Sequence, residues 1–252
     1  MNPETYAAEH AVVETHWWFV GRRRLFARLI GGLGLGPHVP ILDVGTSAGT
    51  NLLLCRSLGF TSVRGLDISP EAIGYCAARG LPPVDLGSIE AMPYGDASFS
   101  LVLATDVLEH VDDARALAEI RRVLVPGGRV LMTVPAFPAL WGTQDDVSHH
   151  RRRYRLRPLL DLVRAAGLVP ETAFYFNYLL FAPIWAARRL IRVTRQSIRS
   201  ENDLNTAWLN RVLTWIFGVD IRTAPILRPP FGVSVAVVAR SDRLNDSRGP
   251  TP

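Results

Sequence analysis

The stretch Ile41-Leu42-Asp43-Val44-Gly45-Thr46-Ser47-Ala48-Gly49-Thr50 reads as a short apolar strand, a turn with two glycines and the start of a helix. Gly45 and Gly49 let the backbone turn tightly and approach a ligand, while the helix beyond them offers unpaired amides and the positive end of its dipole. Asp67 follows in Gly65-Leu66-Asp67-Ile68-Ser69, at the end of the next apolar run. A carboxylate in that place accepts hydrogen bonds from ribose hydroxyls. The two segments together predict a nucleoside-binding unit.

Outward from this unit, short β-branched runs alternate with helical patterns, which predicts an α/β domain with a mainly parallel sheet. Strands are expected at Pro40 to Val44, Ser62 to Asp67, Pro83 to Gly87, Ser100 to Thr105, Arg129 to Val134, Pro170 to Tyr175 and Phe231 to Arg240. Helices are expected at Thr50 to Leu58, Pro70 to Ala78, Asp113 to Leu124 and Arg157 to Ala166. Asp112 caps the third of these helices, and Pro126-Gly127-Gly128 stops it. The domain reading is a helical lid over 1–36, a main domain over 37–240 with a helical insertion at 178–230, and a frayed tail over 241–252.

The turn has the form DxGxxxG rather than the GxGxxG of dinucleotide-binding domains. An acid on the first strand repels a pyrophosphate but suits a cationic ligand with an ammonium or sulfonium, which favours S-adenosyl-L-methionine (SAM). In these features the chain resembles the class I SAM-dependent methyltransferases, in the small-molecule branch with the ubiquinone- and menaquinone-pathway enzymes. ILDVGTSAG resembles motif I and GLDISPEAI motif II. GSIEAMPYGDASFSLVLATDVLEHV resembles the third and fourth motifs, and LVPGGRVLMTVP the fifth. The resemblance spans roughly residues 40–170 and implies a Rossmann-like seven-stranded sheet, last strand antiparallel, with the cofactor over the carboxyl ends of the first four strands.

Carried over by position, the resemblance implies that Asp43, Gly45, Ser47 and Gly49 line the methionine part of SAM. Asp67 clasps the ribose, Ile68 packs on the adenine, Ser88 and Ile89 meet the adenine edge, and Thr105 and Asp106 lie beside the sulfonium. Ser47 replaces a usual Gly and Ser88 a usual Asp; a hydroxyl is the weaker acceptor by about 1 kcal/mol. In Asp106-Val107-Leu108-Glu109-His110, His110 is a candidate base. Asp106, Glu109 and His110 also match a metal-holding pattern of the quinone O-methyltransferases, although no metal is expected. A structural anchoring role for the loop is the alternative.

After the fifth strand, the cluster His149-His150-Arg151-Arg152-Arg153-Tyr154 lies where loops reach over the ligand crevice. It offers His149 and His150 as further bases, and Arg152, Arg153 and Tyr154 as acceptor-binding groups. Trp17 and Trp18, in the lid, are read as shaping the acceptor pocket or as core residues. The insertion sets Leu180, Ile184, Ala187 and Ile191 beside Arg188, Arg192, Arg195 and Arg199. That pattern fits an anionic membrane surface over 178–199, or an ordinary cap.

The 252 residues suffice for one large domain and carry a net charge of +5, all the cations being arginines. Two cysteines outside any CxxC pattern argue against a disulfide scaffold or a zinc site. The opening MNPETYAAEH has no basic, apolar or cleavage-site signature, so a cytoplasmic place is expected, with the inner membrane face as the alternative. The fourth strand runs into ATDVLEH without the Pro-Pro-aromatic tetrad of base amino-methylation, so nucleic acid is not expected as a partner. The expected function is methyl transfer from SAM to an oxygen of a small-molecule or lipid-linked acceptor. A non-catalytic SAM-binding or membrane-docking module and a nicotinamide dehydrogenase are the rivals.

Overall fold

The computed structural model describes residues 15–194 and 206–242. The first part of the expected lid, Arg195, Arg199, Leu204 and the tail beyond Asp242 lie outside the described residues. The elements run α1 (Trp17–Gly31), β1 (Ile41–Val44), α2 (Thr50–Ser57), β2 (Val63–Asp67), α3 (Pro70–Ala78), β3 (Val84–Leu86) and β4 (Phe99–Thr105). They continue α4 (Asp113–Val123), β5 (Leu124–Pro135), α5 (Thr143–Val147), α6 (Leu156–Ala165), β6 (Leu168–Phe176), α7 (Phe181–Thr194), α8 (Ala207–Leu227) and β7 (Ser234–Ser241).

Seven strands form one sheet in the order β3-β2-β1-β4-β5-β7-β6. Strand β7 runs antiparallel to both of its neighbours, β5 and β6. The pairings β1 with β2, β1 with β4, β2 with β3 and β4 with β5 are parallel. The chain leaves β1 toward β2 and later returns on the other side as β4. The switch point therefore lies between β1 and β4, and a crevice opens beyond their carboxyl ends.

The two-residue period of the strands divides the core into two layers. Leu42, Val44, Val102, Ala104, Val130 and Met132 point to one face, where Leu117 and Ile120 of α4 and Leu159 and Val163 of α6 cover them. Ile41, Leu101, Leu103 and Leu131 point to the other, under Leu25 and Phe26 of α1, Leu52 of α2 and Phe217 of α8. Helices on both faces are what a parallel sheet requires, since neither face is left to water.

Several boundaries differ from the sequence reading, each for a local reason. β5 begins at Leu124 rather than Arg129, because Leu124 pairs with Phe99 across a register shift and Gly127, at φ 76°, bends the strand without ending it. A second helix of the insertion, which Trp208, Leu209, Val212, Leu213 and Trp215 predict over roughly Leu204 to Phe217, continues to Leu227. It passes Gly218 because Phe217, Asp220, Ile221 and Ala224 bury one face. The carboxylate of Asp220 also accepts from the Asn177 and Leu179 amides at 2.7 and 2.9 Å, tying α8 to the chain leaving β6. α8 thus packs on α1 and β6, along a sheet face.

α1 and α8 meet closely at Gly21 of α1, where an added methyl would overlap the Phe217 ring. Phe217 stacks on Trp18 at 5.4 Å between centroids and meets Trp17 edge-on at 5.5 Å. Trp18 also lies parallel to Phe176 of β6 at 6.0 Å. Chemical denaturation should show Gly21→Ala destabilised by about 1–3 kcal/mol, the usual cost of overpacking. Adding Phe217→Leu should restore part of that loss; no loss in the single variant would mean the helices slide apart freely.

Candidate active site

The turn between β1 and α2 is held by the side chain that the sequence singles out. Asp67 Oδ2 accepts from the Ser47 amide at 2.8 Å, and Oδ1 accepts from the Ser69 amide at 2.9 Å. One carboxylate therefore ties the glycine turn to the start of α3. Ser47 adopts φ 48°, a left-handed conformation that costs a non-glycine residue about 1 kcal/mol or more, and the Asp67 bond offsets it. Gly45 and Gly49 also have positive φ, and a Cβ at Gly45 would stand 2.7 Å from a Val107 methyl. Beside Asp67, Ile68 is 73% exposed, an apolar shelf at the crevice rim.

Asp43 is fully buried at the end of β1. Its Oδ1 accepts from Asn51 Nδ2 at 2.8 Å, and Asn51 also donates to the Thr105 hydroxyl at 3.0 Å. Its Oδ2 has no hydrogen-bond partner among the described residues. Burial pushes the Asp43 carboxyl up to about 7, the Asn51 bond opposing the rise and the Asp67 charge adding to it. Asn51 is a site residue the sequence reading missed; its signal is a polar residue in the first turn of α2, just past Gly49.

Opposite, Asp106 leaves β4 at φ 56°. Its Oδ1 accepts from the Thr133 hydroxyl at 3.0 Å, and its Oδ2 pairs with Arg22 Nη2 at 2.7 Å. Arg22, also unforeseen, comes from α1 and lies over the Trp18 and Phe26 rings at 5.7 and 5.2 Å. An ion pair that is mostly covered ties the N-terminal helix to the strand end where the crevice opens.

The one-turn 3-10 helix Leu108–His110 follows. Glu109 is fully buried, and neither carboxylate oxygen has a partner among the described residues. Burial, with the Asp106 charge adding to it, pushes its carboxyl well above the usual range. His110 packs edge-on against His150 at 4.7 Å; burial and the His150 ring lower its pKa. Donor atoms of Glu109, His110 and His150 lie within 4.8 Å of one another, so these three residues form the set that could hold a metal ion. In that set His150 stands where the sequence pattern put Asp106.

The remaining predicted residues are distributed differently from the sequence reading. His149 is exposed, at φ 54°. His150 Nδ1 lies 2.8 Å from Asp145 Oδ1. Arg153 and Tyr154, expected to meet the acceptor, turn inward. Arg153 is almost fully buried, with Nε and Nη2 on the two Asp145 oxygens at 2.7 and 2.9 Å and Nη1 on the Ala136 carbonyl at 3.0 Å. A desolvated guanidinium requires such a partner, and Asp145 supplies it. Burial works against ionisation of Asp145, but bonds from His150 and Arg153 outweigh it and hold the carboxyl well below the usual range.

Tyr154 donates from its hydroxyl toward the Leu108 carbonyl and Asp113, and Arg152 pairs with the same Asp113 oxygen at 2.7 Å. Trp17 and Trp18 belong to the aromatic stack on Phe217. Ile89 packs in the core, and the Ser88 hydroxyl accepts from the Glu90 amide at 3.1 Å. The α7 arginine face expected at a membrane is interrupted as well. Arg188 donates to the Leu140 carbonyl and lies 3.8 Å from Asp145, its side chain only 11% exposed. No helix among the described residues is long and apolar enough to cross a membrane.

A carboxylate-anchored glycine turn at the switch point and a sheet ordered 3-2-1-4-5-7-6 agree with the fold that the resemblance to the class I SAM-dependent methyltransferases implies. Residues 42–132 match the family model of a methyltransferase domain. The chain is 33% identical over 153 residues to the malonyl-[acyl-carrier protein] O-methyltransferase of Herminiimonas arsenicoxydans, covering 58% of each chain. It is 27% identical over 170 residues to the demethylmenaquinone methyltransferase of Chlorobaculum tepidum, covering 66% of this chain and 65% of that one. It thus spans less than two thirds of either relative. Among solved structures it shares its fold with the geranyl diphosphate C-methyltransferase of Streptomyces coelicolor A3(2), at a TM-score of 0.56 and 18% identity, covering 85% of this chain and 76% of that one.

The donor set fits SAM. The unpartnered Asp43 oxygen offers an acceptor to a cation, and Asp67 keeps acceptor capacity at the rim. The raised Asp43 carboxyl yields a pH test. The folded chain retains a proton on Asp43 that the unfolded chain releases near pH 4, so stability present at lower pH is lost as pH rises toward about 7. Calorimetric melting of Asp43→Asn should show a Tm advantage over the parent that grows from pH 5 to pH 8. An advantage constant across that range would mean that Asp43 ionises normally.

Proposed function

We propose that the chain transfers the methyl group of SAM to a small-molecule or lipid-linked acceptor, at oxygen. The observation that carries this reading is Asp67, fixed by two amides at the crevice rim beside the unsatisfied oxygen of Asp43. SAM supplies a methyl group on a positively charged sulfur. Transfer is one in-line displacement, so the protein's work is mostly alignment and exclusion of water.

In this reading Asp67 binds the ribose hydroxyls and Ile68 supports the adenine. Asp43, held in orientation by Asn51, balances the positive end. The Arg22–Asp106 pair closes α1 on the donor side of the crevice. An acceptor hydroxyl must lose a proton as its oxygen is methylated, and His110, neutral because of its burial, receives it, with His150 packed behind. His150 is oriented by Asp145, which Arg153 fixes in turn. Arg153 and Tyr154 therefore support the acceptor side from within rather than touching the acceptor.

A second reading rests on the Glu109, His110 and His150 cluster: a divalent ion bound there would hold the acceptor oxygen instead. A chelator that abolished turnover, with recovery on adding back a metal, would favour it over the base.

Calorimetry with S-adenosylhomocysteine should show binding by the parent chain, weakened by about tenfold to a hundredfold in Asp67→Ala through loss of charge-assisted hydrogen bonds. Methyl-labelled SAM incubated with the chain and a cell extract should then place label in the organic phase for a lipid-linked acceptor, or the aqueous phase for a free one. Binding without label in either phase would leave a non-catalytic SAM-binding module. NAD binding in place of S-adenosylhomocysteine would overturn the reading.

A further inference from the structure

The outer surface of the α1–α8 pair carries apolar and basic side chains together. On α8, Trp208, Arg211, Trp215, Gly218, Arg222 and Ile226 recur at intervals of three and four residues, a stripe roughly 80° wide at 100° per residue. The buried residues Phe217, Ile221 and Ala224 occupy the opposite side. Trp208, Trp215 and Ile226 are 72%, 71% and 74% exposed, and Leu227 beside them is 65% exposed. Single exposed apolar side chains are ordinary, but two indoles and Ile226 along one stripe of a helix, with Leu227 next to it at the helix end, suit an interaction surface.

Charge accompanies the patch. Arg24 and Arg28, one turn apart on the exposed side of α1, join Gly218, Ile221 and Arg222 of α8 around a surface cleft of about 470 Å³. None of these three arginines meets a carboxylate among the described residues. α1 contains no acidic residue, and the single acid of α8, Asp220, is buried. Three guanidinium groups around one hollow match the oxygens of a phosphate. Indoles favour the headgroup level of a bilayer, with apolar neighbours reaching further in. A nucleic acid would engage the arginines and indoles but leave Ile226 and Leu227 in water.

We propose that α1 and α8 together form a docking face for an anionic lipid bilayer, in which Arg24, Arg28 and Arg222 take a lipid phosphate while Trp208, Trp215 and Ile226 enter the headgroup layer. The contact lies on α1 and α8, whereas Arg188 of α7 is turned inward. It does not depend on the methyl-transfer reading, since no residue of the crevice takes part. It does place the two on one helix, Arg22 facing the crevice and Arg24 facing the lipid.

The test is flotation of the full chain, without cofactor, on vesicles of phosphatidylcholine alone or with about a third phosphatidylglycerol. The chain should float with the anionic vesicles, not with the neutral ones, and release as salt shortens the electrostatic reach. The triple variant Arg24→Ser, Arg28→Ser, Arg222→Ser should lose about a hundredfold in partition, while its melting curve and its S-adenosylhomocysteine binding stay as in the parent. Trp208→Ser with Trp215→Ser should weaken flotation at low salt as well. No flotation on anionic vesicles, equal flotation on neutral ones, or full binding by the triple variant would overturn the proposal. Retention on RNA without retention on vesicles would assign the face to nucleic acid and overturn it equally.

Discussion

The crevice depends on one carboxylate that bonds two backbone amides. Asp67 reaches back to Ser47 in the glycine turn and forward to Ser69 at the start of α3, so three consecutive parts of the nucleoside unit share one anchor. The amide of Ser47 can point at Asp67 because that residue accepts a left-handed backbone. The departure from glycine at Ser47 is thus compatible with the turn: the strain of a side chain at positive φ is met by a charge-assisted hydrogen bond of about 1.5–3 kcal/mol.

A second anchor works at longer range. Arg22 links α1 to Asp106, and Phe217 links α1 to α8, so the N-terminal helix, the insertion and the β4 end of the crevice form one packed unit. Asp145 does comparable work beyond β5, where it accepts from Arg153, His150 and the Gly142 amide, with Arg188 nearby. Each anchor is a buried or half-buried charge whose removal leaves its partner uncompensated, a more severe loss than the interaction itself is worth.

The motif-bearing half of the molecule was legible because its chemistry is local. Asp43, Gly45, Gly49 and Asp67 lie within one strand-turn-helix-strand unit, and spacing alone brings them together. The mainly parallel α/β sheet followed from the same alternation, and the antiparallel last strand from the resemblance. What was not legible depends on partners distant in sequence. Arg22 carries no local signal, because its partner Asp106 stands at the end of a strand distant in sequence. The His149 to Tyr154 run read as a surface ready for an anion because a charge run does not disclose which of its members are buried. Its one clue was Asp145-Asp146 just upstream, which supplies the internal counter-charge. The full length of α8 depends on the tertiary burial of Ile221 and Ala224, which carries the helix past Gly218.

The position of β7 has a consequence for how the protein is made. The strand at residues 234–241 lies inside the sheet between β5 and β6, not at an edge. Until a ribosome has released those residues, β6 has no neighbour to pair with and the Val235, Val237 and Ala239 part of the core is missing. The nascent chain must therefore wait with a gap in its middle, its two exposed strand borders open to pairing with other chains. The long insertion between β6 and β7 lengthens that wait, although the added loop-closure cost grows only with the logarithm of its length.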